Sequence, residues 1–317
     1  MRTRTLIPAA TLLFGCSLRH HSVAPEPARG PARDSLFHLD QTRGDSVAAR
    51  GHVDGLLALL GPDVVYLRAG VPVTFGRDAA RAVFAASPGA ATEAVTWQPL
   101  GGGVSYDLKS AYTFGIAAHA TRSNPVIHID HYVAYWQRER GEPWRIAAYA
   151  EVTGGNGNGG ASPSVEPRIS PSQFTPPLNR VTKRTADVIA TVRAADSLFS
   201  DLADRMGVPY AYSNTVAPGG AVFGGTRLVV GAEAIEDYYG AQGTGTSLTW
   251  RPIYASVAGS YDLGFTVGVD IATGRGQSGA AVQRFGKYLA VWQRQRDGTW
   301  RFLIQGGNAT PARASQR

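Results

Sequence analysis

Only one cysteine, Cys16, stands in 317 residues, so no disulfide can form within the chain. Lysine is almost as scarce. Lys109, Lys183 and Lys287 are the whole complement, so the formal charge of +7 is carried almost entirely by arginine. Those arginines are scattered among acids, without a basic block, an RNA-binding signature or zinc-finger spacing. This describes a solvated, mildly basic surface and argues against a nucleic-acid partner. No Gly-x-Ser-x-Gly elbow is present and the one cysteine lies near the N-terminus, which argues against nucleophilic hydrolysis. The glycine-rich stretch near residue 155 has no lysine after it and no strand-to-helix transition around it, which sets aside a phosphate loop. Histidine is missing from everything beyond His131.

What the chain does have, it has twice. His128–Ile146 reads HIDHYVAYWQRERGEPWRI and Lys287–Phe302 reads KYLAVWQRQRDGTWRF. Tyr132, Trp136, Gln137, Arg138, Arg140, Trp144 and Arg145 return as Tyr288, Trp292, Gln293, Arg294, Arg296, Trp300 and Arg301. Each copy alternates polar and apolar residues, breaks at a charged turn and resumes with Trp-Arg, the pattern of a β-hairpin. Trp97 and Pro99 are matched by Trp250 and Pro252, and Ser105-Tyr106-Asp107-Leu108 by Ser260-Tyr261-Asp262-Leu263. All six tryptophans thus fall into three pairs, which identifies a duplication. Upstream, a glycine opens a short helix in each copy, at Gly76 and at Gly231. Asp34-Ser35-Leu36-Phe37 is repeated at Asp196–Phe199. Val188, Val192, Ala195, Phe199 and Leu202 share one helix face, and Val53, Leu56, Leu57 and Leu60 form a second apolar helix stripe, expected to stop at Gly61-Pro62.

The N-terminus carries an address. Arg2 and Arg4 precede an apolar run, Leu6 to Phe14, too short to span a bilayer and fitting the core of a secretory signal. Leu13-Phe14-Gly15-Cys16 resembles the lipobox of bacterial lipoproteins, which implies lipidation at Cys16 and an extracytoplasmic protein tethered to the membrane. Ser17, where an aspartate would signal inner-membrane retention, favours the outer membrane if one exists. The expected organisation is a signal peptide over 1–16, a tether over 17–31, a first domain over 32–153, a Gly/Pro-rich linker over 154–181, a second domain over 182–309 and a tail over 310–317.

Helix, helix, glycine-led short helix and a run of long strands, with the Tyr-Asp-Leu turn and the VWQRQRDGTWRF hairpin, resembles the nuclear transport factor 2-like superfamily. More narrowly, it looks like the SnoaL-like and ketosteroid isomerase-like domains. The resemblance implies an α+β fold of two cone-shaped domains, each a curved antiparallel sheet wrapped on N-terminal helices with a pocket in its mouth. Gly51–Leu60 is similar to the second helix of ketosteroid isomerases, and Ile129-Asp130-His131-Tyr132 to the strand bearing their oxyanion-hole acid. In those enzymes that acid stays protonated and donates a hydrogen bond to a developing enolate. Asp130 holds the matching position, but the position of the general-base aspartate falls at Arg68 and that of the oxyanion tyrosine near Gly44.

Alternation places His128, Asp130, Tyr132, Ala134 and Trp136 on one strand face, the pocket side if Asp130 follows the family. With Arg122-Ser123-Asn124-Pro125 as the preceding loop, antiparallel pairing sets His119 opposite His128. His119, His128 and Asp130 could form an inert polar group, an acid/base or ligand-contacting pair, or a weak metal site; no cofactor is implied. Tyr132, Trp136, Asp130 and His128 are the expected ligand-binding residues. The second copy has Gly286 at the position of Asp130, so any active site is expected in the first repeat. The other face of each hairpin, Val133 and Tyr135 or Leu289 and Val291, is apolar too, predicting that the repeats pair sheet to sheet as an intramolecular pseudo-dimer. The leading functional expectation is binding of a small apolar or amphiphilic molecule, or of a partner protein, without established catalysis. The alternative is a SnoaL- or isomerase-like enzyme using acid/base chemistry in the first domain, and a purely structural envelope protein is a third reading.

Overall fold

A computed structural model describes residues 26–50, 52–87, 94–120, 128–152, 184–224, 227–242, 247–275 and 279–311. Cys16, most of the expected tether, the linker over 154–181 and the loop Arg122–Pro125 lie outside the described residues. The first repeat runs α1 (Glu26–Arg50), α2 (His52–Leu59), β1 (Leu60–Leu67), β2 (Thr74–Phe75), α3 (Arg77–Ala85), β3 (Ala94–Val104), β4 (Ser110–Ala120), β5 (His128–Gln137) and β6 (Arg145–Val152). The second repeats that order as α4 (Thr185–Met206), α5 (Val208–Thr215), β7 (Val216–Gly224), β8 (Arg227–Val230), α6 (Ala232–Gly240), β9 (Ser247–Val257), β10 (Leu263–Arg275), β11 (Ala281–Arg294) and β12 (Trp300–Ala309). The sheets are ordered β2-β1-β6-β5-β4-β3 and β8-β7-β12-β11-β10-β9. The architecture is α+β, two domains of one topology.

The sheets are antiparallel with one exception each, because β1 pairs with β6 and β7 with β12 in parallel. A parallel pair needs a long crossover, and everything between the two strands supplies it. The helices end differently from expectation. α2 stops at Leu59, and Gly61 and Pro62 lie inside β1, where the pairing shifts between Leu60 and Val65. A bulge absorbs the proline that periodicity read as a helix stop. α1 already begins at Glu26, ahead of the expected domain start, and carries Pro31 within it. Gly76 and Gly231 do open the short helices, at φ 89° and 88°, angles that L side chains avoid.

Strand alternation divides the core. Tyr132, Ala134 and Trp136 pack inside the first cone with Leu36, Leu56, Tyr66, Trp97 and Tyr149. Tyr288, Ala290 and Trp292 pack inside the second with Val192, Phe199, Trp250 and Phe302. The intervening residues share a third cluster, in which Val133, Tyr135 and Ala148 meet Leu289, Val291 and Ile304. The duplicated turns also meet: the Tyr106 amide donates to Asp262 Oδ2 at 3.1 Å and the Asp107 amide to Ser260 Oγ at 3.3 Å.

Hydrogen bonds inside the cones realign the repeats. Trp136 Nε1 donates to Thr113 Oγ1 and Trp292 Nε1 to Thr266 Oγ1, both at 2.8 Å. The Tyr132 hydroxyl donates to Asp40 at 2.5 Å and the Tyr288 hydroxyl to Asp196 at 2.8 Å. Asp196 therefore answers to Asp40, not Asp34, and Phe199 answers to Arg43. The repeated Asp-Ser-Leu-Phe is a coincidence of letters out of structural register.

Candidate functional site

The expected strand register is present: β4 and β5 pair His119 with His128 and Ala117 with Asp130. The side chain of His128 lies outside the described residues. His119 Nε2 stands 3.6 Å from Asp130 Oδ2, and both side chains are largely buried. Tyr132 and Trp136 are wholly buried, their polar atoms engaged by Asp40 and Thr113. Among the described residues no three His, Cys, Asp or Glu side chains are placed so that they could hold a metal ion together.

Register continues this pair across the sheet. Tyr132 is paired with Glu151 on β6, so Asp130, two residues along the same face, is the diagonal neighbour of Glu151. Glu151 accepts a hydrogen bond from the Tyr66 hydroxyl and an ion pair from Arg68 Nη1 at 3.1 Å. His119, Asp130, Glu151 and the Tyr66–Arg68 pair thus form a polar diagonal crossing β4, β5, β6 and β1. Burial pushes the Glu151 carboxyl above its ordinary range and the Asp130 charge adds to this, while Arg68 and the Tyr66 hydrogen bond pull it back. Burial, with the neighbouring Glu151 charge, holds Tyr66 firmly protonated. The group therefore offers a cation and a carboxyl raised by burial, with 22% and 21% of the Arg68 and Glu151 side-chain surface exposed, while the Tyr66 hydroxyl that donates to Glu151 is buried behind them.

Deeper in the cone, Arg43 is fully buried, with Nε 3.1 Å from Asp40 Oδ1. Its guanidinium lies 4.4 Å from the ring centres of both Trp97 and Tyr132. Burial opposes its charge, but Asp40, with Tyr149 and Tyr132, outweighs it and keeps the cation.

Sequence reasoning named His119 and Asp130 as candidates and did not name Tyr66 or Glu151. It treated Arg68 only as a lost base, whereas Arg68 is the partner of a carboxylate supplied by the adjacent strand. The signal was available as polar residues at alternate positions of apolar strands, Tyr66-x-Arg68 and Tyr149-x-Glu151.

In the second cone the corresponding positions are Ala272, Gly286, Gly307, Val222 and Gly224. One acid survives there by changing strand. Asp270 is paired with Gly286 as Ala117 is with Asp130, and a Cβ on Gly286 would collide with the Asp270 carboxylate. Burial pushes Asp270 up to about 6, against the pull of Lys287.

No protein-family model matches the chain, and no curated protein matches it. The chain is similar to solved nuclear transport factor 2-like and ketosteroid isomerase-like proteins. A ketosteroid isomerase-like protein from Erwinia carotovora atroseptica matches at 17% identity over 38% of this chain and 95% of its own, with a TM-score of 0.34. An NTF2-like protein with a cystatin-like fold from Novosphingobium aromaticivorans matches at 17% identity over 39% and 82%, with a TM-score of 0.33. An NTF2-like superfamily protein from Salmonella enterica serovar Typhimurium matches at 13% identity over 40% and 94%, with a TM-score of 0.34. Each of these matches thus covers 38–40% of this chain.

Proposed function

We propose that the first cone binds a small amphiphilic molecule, whose polar end meets the His119–Asp130–Glu151–Arg68 diagonal, in a protein tethered outside the cytoplasm by lipidation at Cys16. The observation that carries the binding reading is the asymmetry of the cones. Both keep the same tryptophan–threonine and tyrosine–aspartate bonds, but only the first has polar groups at the five diagonal positions. Buried polar groups are costly to maintain, so a set present in one copy and replaced by Ala, Val and Gly in the other is not required by the fold. The second repeat is then a structural partner, and the two form an intramolecular pseudo-dimer through their shared apolar cluster.

A thermal-shift screen of amphiphiles (steroids, fatty acids, aryl alcohols) on the chain from Ser17 onward tests the site. Stabilising compounds should lose their effect with Glu151→Gln or Asp130→Ala. Shifts unchanged by both variants would place binding elsewhere. The tether is tested separately by incorporation of labelled palmitate in a bacterial host, which Cys16→Ser should abolish.

A second reading, acid/base chemistry on the bound molecule, is favoured by one specific feature. The Glu151 carboxyl is raised by burial, hydrogen-bonded by Tyr66 and placed beside the position of the family's base. It predicts exchange of a carbon-bound proton of a bound ketone with deuterated solvent, followed by NMR and lost in Glu151→Gln.

A further inference from the structure

The polar diagonal has a mechanical weakness. The parallel ladder between β1 and β6 ends at the pair Leu67–Ala150, so Arg68 and Glu151 extend just beyond the last rung. Beyond that rung the first repeat has the side-chain contacts of Tyr66 and Arg68 with Glu151, and a backbone clamp comes from the other repeat. The Asn308 side-chain amide donates to the carbonyl oxygen of Leu67 at 3.1 Å and also to that of Glu151, bridging the two strands where their own pairing stops. Beside it, Ala309 O accepts from the Gly70 amide at 3.1 Å and from Lys287 Nζ at 3.0 Å. Lys287 also reaches Thr310 Oγ1 at 3.2 Å, fixing the end of β12 from which Asn308 projects. The approach is close enough that a Cβ on Gly306 would strike Val152.

We infer that Asn308 is a positioning residue, through which the second repeat holds Arg68 and Glu151 of the first cone in contact; this rests on reading that cluster as the binding site. The arrangement is one-sided. The first-repeat counterpart of Asn308 is Val152, an apolar side chain that offers no donor to the second sheet, and the second cone has only Gly224 and Gly307 at the positions such a bond would steady. Asn308 Oδ1 is buried without a hydrogen-bond partner among the described residues. An amide retained despite that loss is explained by what its nitrogen does.

The test is a titration of the Glu151 carboxyl by NMR in the full chain labelled with carboxyl-13C glutamate, the resonance being assigned with Glu151→Gln. Arg68→Met defines the shift that follows loss of the ion pair. Asn308→Leu should move the Glu151 midpoint in the same direction and at least about half as far, because it lets the same pair separate. A folded Asn308→Leu protein whose Glu151 titrates as in the wild type would overturn the inference. Should the leucine variant not fold, Asn308→Ala, which removes both donors without adding bulk, is read in the same way. The titration needs no ligand, so its failure is distinct from failure of the binding reading, which the amphiphile screen decides.

Discussion

The two cones have one skeleton and different contents. In both, a tryptophan of the hairpin strand donates to a threonine of its neighbour, a tyrosine donates to a helix aspartate, and a glycine at positive φ starts the short helix. At the centre of the first sits Arg43; at the same place in the second sits Phe199, edge-on to Trp250 at 4.6 Å and to Tyr212 at 4.7 Å. A fold that accepts either a caged cation or a phenyl ring there does not depend on the cation. What the copies share is therefore what the cone needs, and where they differ is where function is to be sought.

The largest effects should fall on the shared skeleton. Trp136→Ala and Trp292→Ala each remove a fully buried ring and its hydrogen bond, and each should cost about 3–5 kcal/mol by chemical denaturation. A loss at Trp292 less than half that at Trp136 would break the equivalence of the two frameworks. The contents should separate the cones instead. Arg43→Met leaves the buried Asp40 without its cation and should cost about 3 kcal/mol. Phe199→Met keeps volume and apolarity and should cost under about 1.5 kcal/mol. Equal losses at these two positions would mean that the caged arginine is ordinary packing.

The duplication was legible because hairpins are local: the polar–apolar alternation, the turn and the returning Trp-Arg sit within twenty or so residues, so letters and structure stay in step. Helices were less faithful. Asp-Ser-Leu-Phe matches by letter at Asp34 and Asp196, yet the tyrosine bonds align Asp196 with Asp40, since a helix can slide its sequence past a sheet while presenting a similar apolar face. His119 and Asp130 could be found from a single hairpin register. Tyr66, Arg68 and Glu151 could not be joined that way, because the parallel pairing that unites them closes a loop of more than eighty residues. Asn308 is more remote still: its bonds to Leu67 and Glu151 depend on how one repeat lies on the other, which no local pattern encodes.

The smallest effects sharpen the comparison at one pair of equivalent positions. His131 and Lys287 occupy the same place on β5 and β11, on faces turned toward the other repeat. The His131 ring lies 4.5 Å from Phe223, and Lys287 is fully buried. Burial lowers His131 from 6.5 to about 4, opposed by Asp130, and Lys287 from 10.5 to about 8, opposed by Glu151 and Asp270. In each case the folded protein holds fewer protons than the unfolded chain between the two values, so stability rises with pH across that window. The rise should be on the order of 3 kcal/mol for each, in the acid window for His131 and the alkaline one for Lys287. Asp196, Asp262 and Asp270, each raised by burial to about 6, act oppositely, since the folded state then holds more protons and loses stability as pH climbs from 3.8 toward 6. Both windows must therefore be read as a difference between variant and wild type, because buried tyrosines such as Tyr66, Tyr132 and Tyr149, raised above 10.0, oppose the upper end of the alkaline rise in the same way. His131→Asn should remove only the acid component, and Lys287→Met only the alkaline one. If Lys287→Met leaves the alkaline rise intact, Lys287 titrates normally. The end of β12 that carries Asn308 would then be anchored by a lysine that water can reach.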